Sequence, residues 1–139
     1  MVALTIKEYH AKKSYDVILP SNCEIKPVEF EAACILANYF KADVRVLSPS
    51  NEYMVKTADF LINDKEYELK SPITKNVKSI EKIIKHSTQQ SKHLIIDMRK
   101  TKIREKKMIA ICENMLGNLK KLNEILLIVN KKKIVDFRK

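Results

Sequence analysis

Cysteine is scarce in this chain of 139 residues, and the three it has, Cys23, Cys34 and Cys112, are odd in number and far apart. They form no CxxC pair and no zinc-ligand spacing. That argues against a disulfide framework or a zinc module and predicts buried free thiols in a reducing compartment. His10, His86 and His93 likewise form no metal-binding pair. No run of eighteen apolar residues occurs, and the N-terminal MVALTIKEYHAKK lacks the apolar stretch of a signal peptide. Internal repeats, low-complexity segments and linkers are also missing. One domain over residues 1–139 is expected, with 1–26 as an N-terminal extension and a core at about 27–98. Its expected location is the cytoplasm, or the cytoplasm of a target cell if the domain is delivered there.

Positive charge is abundant. The chain carries 27 Lys+Arg against 17 Asp+Glu, a formal net charge of +10. An excess of that size points to a polyanionic partner. Nucleic acid, DNA or tRNA, leads; an anionic membrane surface stands behind it and is not carried forward. The bland alternative is a soluble lysine-rich domain. Few aromatic residues lie among the basic ones, so base stacking is not evident.

Apolar periodicity supplies the elements. Tyr15 to Leu19 reads as a short strand stopped by Pro20. Pro27 suits the first turn of a helix to about Phe40, with Val28, Ala32, Ile35, Leu36 and Tyr39 on one stripe. Val44 to Leu47 reads as a strand. Two hairpin strands follow at about 57–62 and 65–71, then a helix capped by Asn76 or Ser79 with Ile80, Ile83, Ile84 and Ser87 on one face. Leu94 to Met98 is a short apolar strand expected to be buried on both faces. A helix at about 103–121 and strands at Glu124–Val129 and Ile134–Phe137 complete the chain. The order predicts an α/β fold, a mixed central sheet flanked by helices, with β-α-β crossovers in its second half.

The segment TADFLINDKEYELKS, residues 57–71, concentrates the chemistry. Asn63-Asp64 can supply the positive φ angles of a two-residue primed turn. Ile62 then faces Lys65, Leu61 faces Glu66, Phe60 faces Tyr67, and Asp59 faces Glu68. Opposed carboxylates repel in a sheet, and a divalent cation between them would remove the penalty. Lys70 projects from the same face as Glu68. Glu-x-Lys alone carries little weight, since Glu24-Ile25-Lys26 and Glu105-Lys106-Lys107 repeat it; only the middle copy has an Asp opposite. Glu29 and Glu31 border the apolar stripe of the first helix and can reach the edge of a sheet beneath it. Gln90, at the end of the second helix, could orient a water or a phosphate. Asp97 beside Arg99 suggests an ion pair.

Helix, strand, Asp-bearing strand, Glu-x-Lys strand, helix, strand is the order of the PD-(D/E)XK nuclease core. Thr57 to Ile62, Glu68 to Pro72, Gln90-Ser91 and Ile95 to Arg99 resemble more narrowly the C-terminal nuclease domains of CdiA-type contact-dependent inhibition toxins, also found in phages and mobile elements. The resemblance covers roughly residues 27 to 137. It implies a PD-(D/E)XK-like core (α-β-β-β-α-β) with an added C-terminal helix and strands. It also implies a metal-dependent nuclease with Mg2+ or Mn2+, all-oxygen ligation favouring these ions over zinc. Asp59 and Glu68 would be metal ligands with Glu29 or Glu31 completing the shell, Lys70 would act at the scissile phosphate, and Gln90 would be accessory. Lys56, Ser71, Lys75, Lys78, Arg99, Lys100 and Lys102 are candidates to follow the nucleic-acid backbone, which positions a substrate without reading its sequence. A toxin would bring an immunity protein as second partner, and a homodimer is compatible with the sequence. Ala58 stands where the pattern often has proline, and the segment after Pro72 lacks the expected glycine. Two alternatives stay open. One is a non-catalytic nucleic-acid-binding or interaction module of a phage or mobile element that keeps the fold. The other is a metal-independent ribonuclease, to which three scattered histidines lend little support.

Overall fold

In the computed structural model, residues 3–8, 15–20, 25–48 and 58–139 are described. They form one mixed eight-stranded sheet with three helices. The strands are β1 (Ala3–Glu8), β2 (Val17–Ile18), β3 (Val44–Val46), β4 (Phe60–Ile62), β5 (Lys65–Lys70), β6 (His93–Asp97), β7 (Glu124–Asn130) and β8 (Lys133–Arg138). The helices are α1 (Pro27–Phe40), α2 (Val77–Ser87) and α3 (Glu105–Asn118). Strand order across the sheet is β1-β8-β7-β6-β5-β4-β3-β2. The β5–β6 and β6–β7 pairs are parallel, each joined by a crossover helix, α2 and α3 respectively. Antiparallel pairs flank this centre, and β2 runs parallel to β3. The N-terminal segment is therefore more than an extension: its two strands take the two edges of the sheet.

Central burial explains the apolar runs. Leu94, Ile96, Ile125 and Leu127 pack toward α2 and α3, with Ile80, Ile84, Met108, Cys112 and Leu116. Ile95, Leu126 and Ile128 face the other way, joining Ala32, Ala33 and Leu36 of α1. Each fully buried Leu or Ile contributes roughly 1.5–3 kcal/mol, so β6 and β7 anchor both layers. Helix starts follow local chemistry. Pro27 opens α1, whose last turn closes on Lys41 at φ 53°. Asn76 caps α2 by accepting hydrogen bonds from the Lys78 and Ser79 amides at 2.9 and 3.4 Å. Cys112 is buried and Cys34 half-buried, both free; Cys23 and His10 lie outside the described residues. Among the described residues no helix is long and apolar enough to cross a membrane.

Candidate active site

The hairpin turn sets the site. Asn63 and Asp64 take φ of 50° and 66°, the left-handed pair a primed turn requires. The register follows: Ile62 pairs with Lys65, Leu61 with Glu66, Phe60 with Tyr67. The ladder stops there. The Asp59 N–H donates to the Tyr67 carbonyl at 3.0 Å, and the Asp59 carbonyl accepts from the Leu47 N–H at 2.9 Å. Asp59 therefore bends out of regular pairing, and its Oδ2 accepts the Leu69 N–H at 2.8 Å. The two acids still meet, but through this bend and not as an opposed ladder pair.

Tyr67 and Leu69 pack toward α1, so alternation turns Glu68 and Lys70 to the opposite face. Glu68 is 1% exposed. Its Oε2 lies 3.2 Å from Lys70 Nζ, and its Oε1 is buried with no hydrogen-bond donor. Burial first, then a hydrogen bond and charge repulsion from Asp59, push the Glu68 carboxyl up from 4.5 to about 8, with Lys70 pulling the other way. Two carboxyls can share a hydrogen bond only while one holds a proton. Without a cation between them, the two acids favour a proton on Glu68 over two adjacent charges.

A cleft of about 330 Å³ opens beside Asp59 and Lys70, with Glu68 buried behind them. Asp59, Lys70, Ser71, Glu29, Lys26 and Lys100 line it, with Val28, Leu69 and Ile73 supplying apolar surface. Lys26 was not singled out by sequence: nothing distinguishes it among 27 basic residues until α1 is docked.

Other expected residues fall elsewhere. Arg99 holds the fold together: Nε and an Nη donate to the two Asp97 oxygens at 2.8 and 2.7 Å, the other Nη to Glu31 at 2.8 Å, and one Nη also to the Val28 carbonyl at 3.2 Å. The Asp97–Arg99 pair was expected. The engagement of Glu31 was not, and it turns that acid away from the cleft that Glu29 lines. Gln90 is not brought to the cleft. Its N–H bonds the Ser87 carbonyl at 3.0 Å, and its neighbour Ser91 bonds the Glu66 carbonyl beside the hairpin turn. Because β5 and β6 are parallel, that is the opposite end of the sheet from Lys70. Lys75, Lys78 and Lys102 are exposed; Lys56 lies outside the described residues.

The metal expectation divides in the same way. Asp59 and Glu68 fit a hard divalent ion: an orphaned carboxylate oxygen and a repelling acid pair are what such an ion would relieve. Among the described residues no three acidic, His or Cys side chains are placed to hold one metal ion, so neither Glu29 nor Glu31 completes a three-acid shell.

A second buried polar cluster went unread in the sequence. Glu124 Oε1 accepts from Tyr67 Oη at 3.0 Å and lies 3.1 Å from His93 Nδ1; Arg138 binds Asp136 Oδ2 at 2.8 Å. Burial, then the charge of Glu124, raises Asp136 to about 6. Burial also acts on Glu124, but hydrogen bonds from His93 and Asp136 with the charge of Arg138 outweigh it and lower that carboxyl. Acids inside the apolar strands EILLIVN and KIVDFR were the available signal.

Fold and site together define a mixed α/β domain with two acids and a lysine beneath a cationic cleft. The family model for the contact-dependent growth inhibition CdiA C-terminal domain matches residues 56–134, more than half of the chain, and the chain belongs to that family. Among solved structures, the chain is similar to one in the CdiA-CT/CdiI toxin and immunity complex from Burkholderia pseudomallei. The TM-score is 0.59 at 16% identity, over 90% of this chain and 99% of that one. No curated protein sequence matches.

Proposed function

We propose that this domain is a metal-dependent nuclease of the PD-(D/E)XK type, acting as a toxin on DNA or RNA such as tRNA. The observation that carries the reading is half-buried Asp59 beside buried Glu68 with Lys70 against it, at a cleft lined by Asp59, Lys70, Lys26 and Lys100. Asp59 and Glu68 would hold Mg2+ or Mn2+, which when bound lowers the pKa of a water and neutralises charge on the phosphate. Glu68 must lose its proton for this, so metal binding is coupled to proton release. Lys70 places a fixed cation where negative charge develops during phosphodiester cleavage. Lys26 and Lys100 grip the backbone, and Glu29 in the cleft wall keeps phosphates off the first turn of α1. Family membership and the likeness to a chain of a toxin–immunity complex support a toxin role with an immunity protein as partner.

Purified protein with tRNA, plasmid and single strands, with Mg2+ or Mn2+ against EDTA, tests this. Cleavage is expected only with metal, falling at least roughly 100-fold in Asp59→Ala or Lys70→Ala. Mg2+ should also raise the Tm of the wild type and not of Asp59→Ala, a readout independent of cleavage. No cleavage with any metal would favour a binding module that keeps the fold without the chemistry.

A further inference from the structure

Helix α2 leaves the cleft with an excess of positive charge, three lysines against one acid, Glu81. Lys78, Lys82 and Lys85 follow at spacings of four and three, so they share a face, and Lys75 stands just before the helix; all four are exposed. The opposite face buries Ile80, Ile84 and Ser87. Glu81 stands three residues after Lys78 and four before Lys85, within reach of both, yet among the described residues it pairs with neither. Like charges at this spacing repel. The first turn, where the helix dipole disfavours a cation, holds Lys78 with no acid to offset it. Among the described residues, none of the four lysines is in an ion pair. A solvated helix face ordinarily mixes signs. This one keeps a positive excess that its single acid does not offset, available to an anion from outside.

Both ends of the lysine face lead to clefts. At the start, Ser71 and Ile73 belong to the wall of the acid-lysine cleft, and their loop is pinned where Thr101 Oγ1 donates to the Thr74 carbonyl at 2.7 Å. At the far end a separate cleft of about 390 Å³ is lined by Lys85, His86, Thr88, Gln89, Lys120 and Lys121, with no carboxylate among its described lining residues. Its one ring is the His86 imidazole, set among three lysines and no Phe, Tyr or Trp, so its chemistry suits phosphates more than bases. An 11-residue helix is about 16 Å long. That distance matches about five phosphates of one duplex strand.

We propose that the cleft formed by Lys85, Lys120 and Lys121 is a second phosphate-backbone subsite, joined to the Asp59–Glu68–Lys70 cleft by the lysine face of α2. The ligand is a polynucleotide long enough to cover both, not a short oligonucleotide. For its substrate this rests on the nuclease reading above, but its test is binding. With wild-type protein in EDTA, fluorescence anisotropy on DNA and RNA should show affinity climbing as length grows from about 6 to about 16 nucleotides per strand. In K85Q/K120Q/K121Q, whose fold is checked by circular dichroism, that climb should flatten. The slope of log K against log salt should shrink by about 2–3, and the three corresponding arginine replacements should restore it. An unchanged slope overturns the proposal. So does an equal loss in K41Q/K65Q/K131Q, which removes the same charge from elsewhere on the surface. If the slope drops but the wild type cuts nothing with any metal, the nuclease reading fails and the subsite stands. Cleavage with an unchanged slope means the reverse.

Discussion

Replacing Glu68 by Gln should change how stability depends on pH more than it changes stability itself. Below the ordinary carboxyl value of 4.5, Glu68 is protonated in both folded and unfolded chains, and the variant is close to neutral. Above it, the unfolded chain ionises while the folded one holds its proton up to about 8. Across that window each pH unit withdraws about 1.4 kcal/mol of stability, and the withdrawal is complete above the folded value. The full span corresponds to roughly 4–5 kcal/mol, a large share of the stability of a domain this size. Glutamine has no charge to desolvate, and its amide can donate to Asp59, so Glu68→Gln escapes the loss. Urea unfolding in EDTA at about pH 5 and about pH 8.5 measures it: the gap between variant and wild type should move in the variant's favour by roughly 3–5 kcal/mol, with m unchanged. A gap that moves by less than about 1 kcal/mol refutes the reasoning, because Glu68 would then ionise as freely as in the unfolded chain.

Three further outcomes follow from the same structure. Arg99→Ala leaves Asp97, 2% exposed, without its guanidinium and should cost about 3–5 kcal/mol in urea, whereas Lys102→Ala should stay within about 0.5 kcal/mol. Asp136 titrates near 6 instead of 3.8, so the wild type loses stability as pH rises through that window. Asp136→Asn should gain on it by roughly 2–3 kcal/mol between about pH 4 and pH 7, read by thermal unfolding. Asn76→Ala removes the α2 cap and should cost about 1 kcal/mol by chemical denaturation, with Asn76→Asp retaining the stability.

What could be read in the sequence was what local geometry decides. Asn63-Asp64 set a turn and the turn set a register as far as Phe60–Tyr67; the bend that then carries Asp59 to Glu68 had no local signal. The apolar spacing of all three helices was equally local. Contacts between distant segments were not legible. Glu29 and Glu31 look alike on a helical wheel, and only the docking of α1 beside Arg99 separates them. Gln90 is set apart from the cleft only by the docking of its neighbour Ser91 beside Glu66, at the end of the sheet away from Lys70. The pairing of Ala3–Glu8 with Lys133–Arg138 has no local signature at all, because the partners sit at opposite ends of the sequence.

That last pairing has a kinetic consequence. β8 pairs with β7 on one side and with β1 on the other, so β1 has no partner in the sheet until Lys133–Arg138 have been synthesised. Sheets closed by such distant contacts fold in milliseconds to seconds, not microseconds, because loop closure precedes any reward. Until β8 arrives, the apolar edge of β7 (EILLIVN) is open to strands of other chains. Refolding at high protein concentration should therefore lose material to aggregation in this interval, and a slow final phase should report the docking of β1.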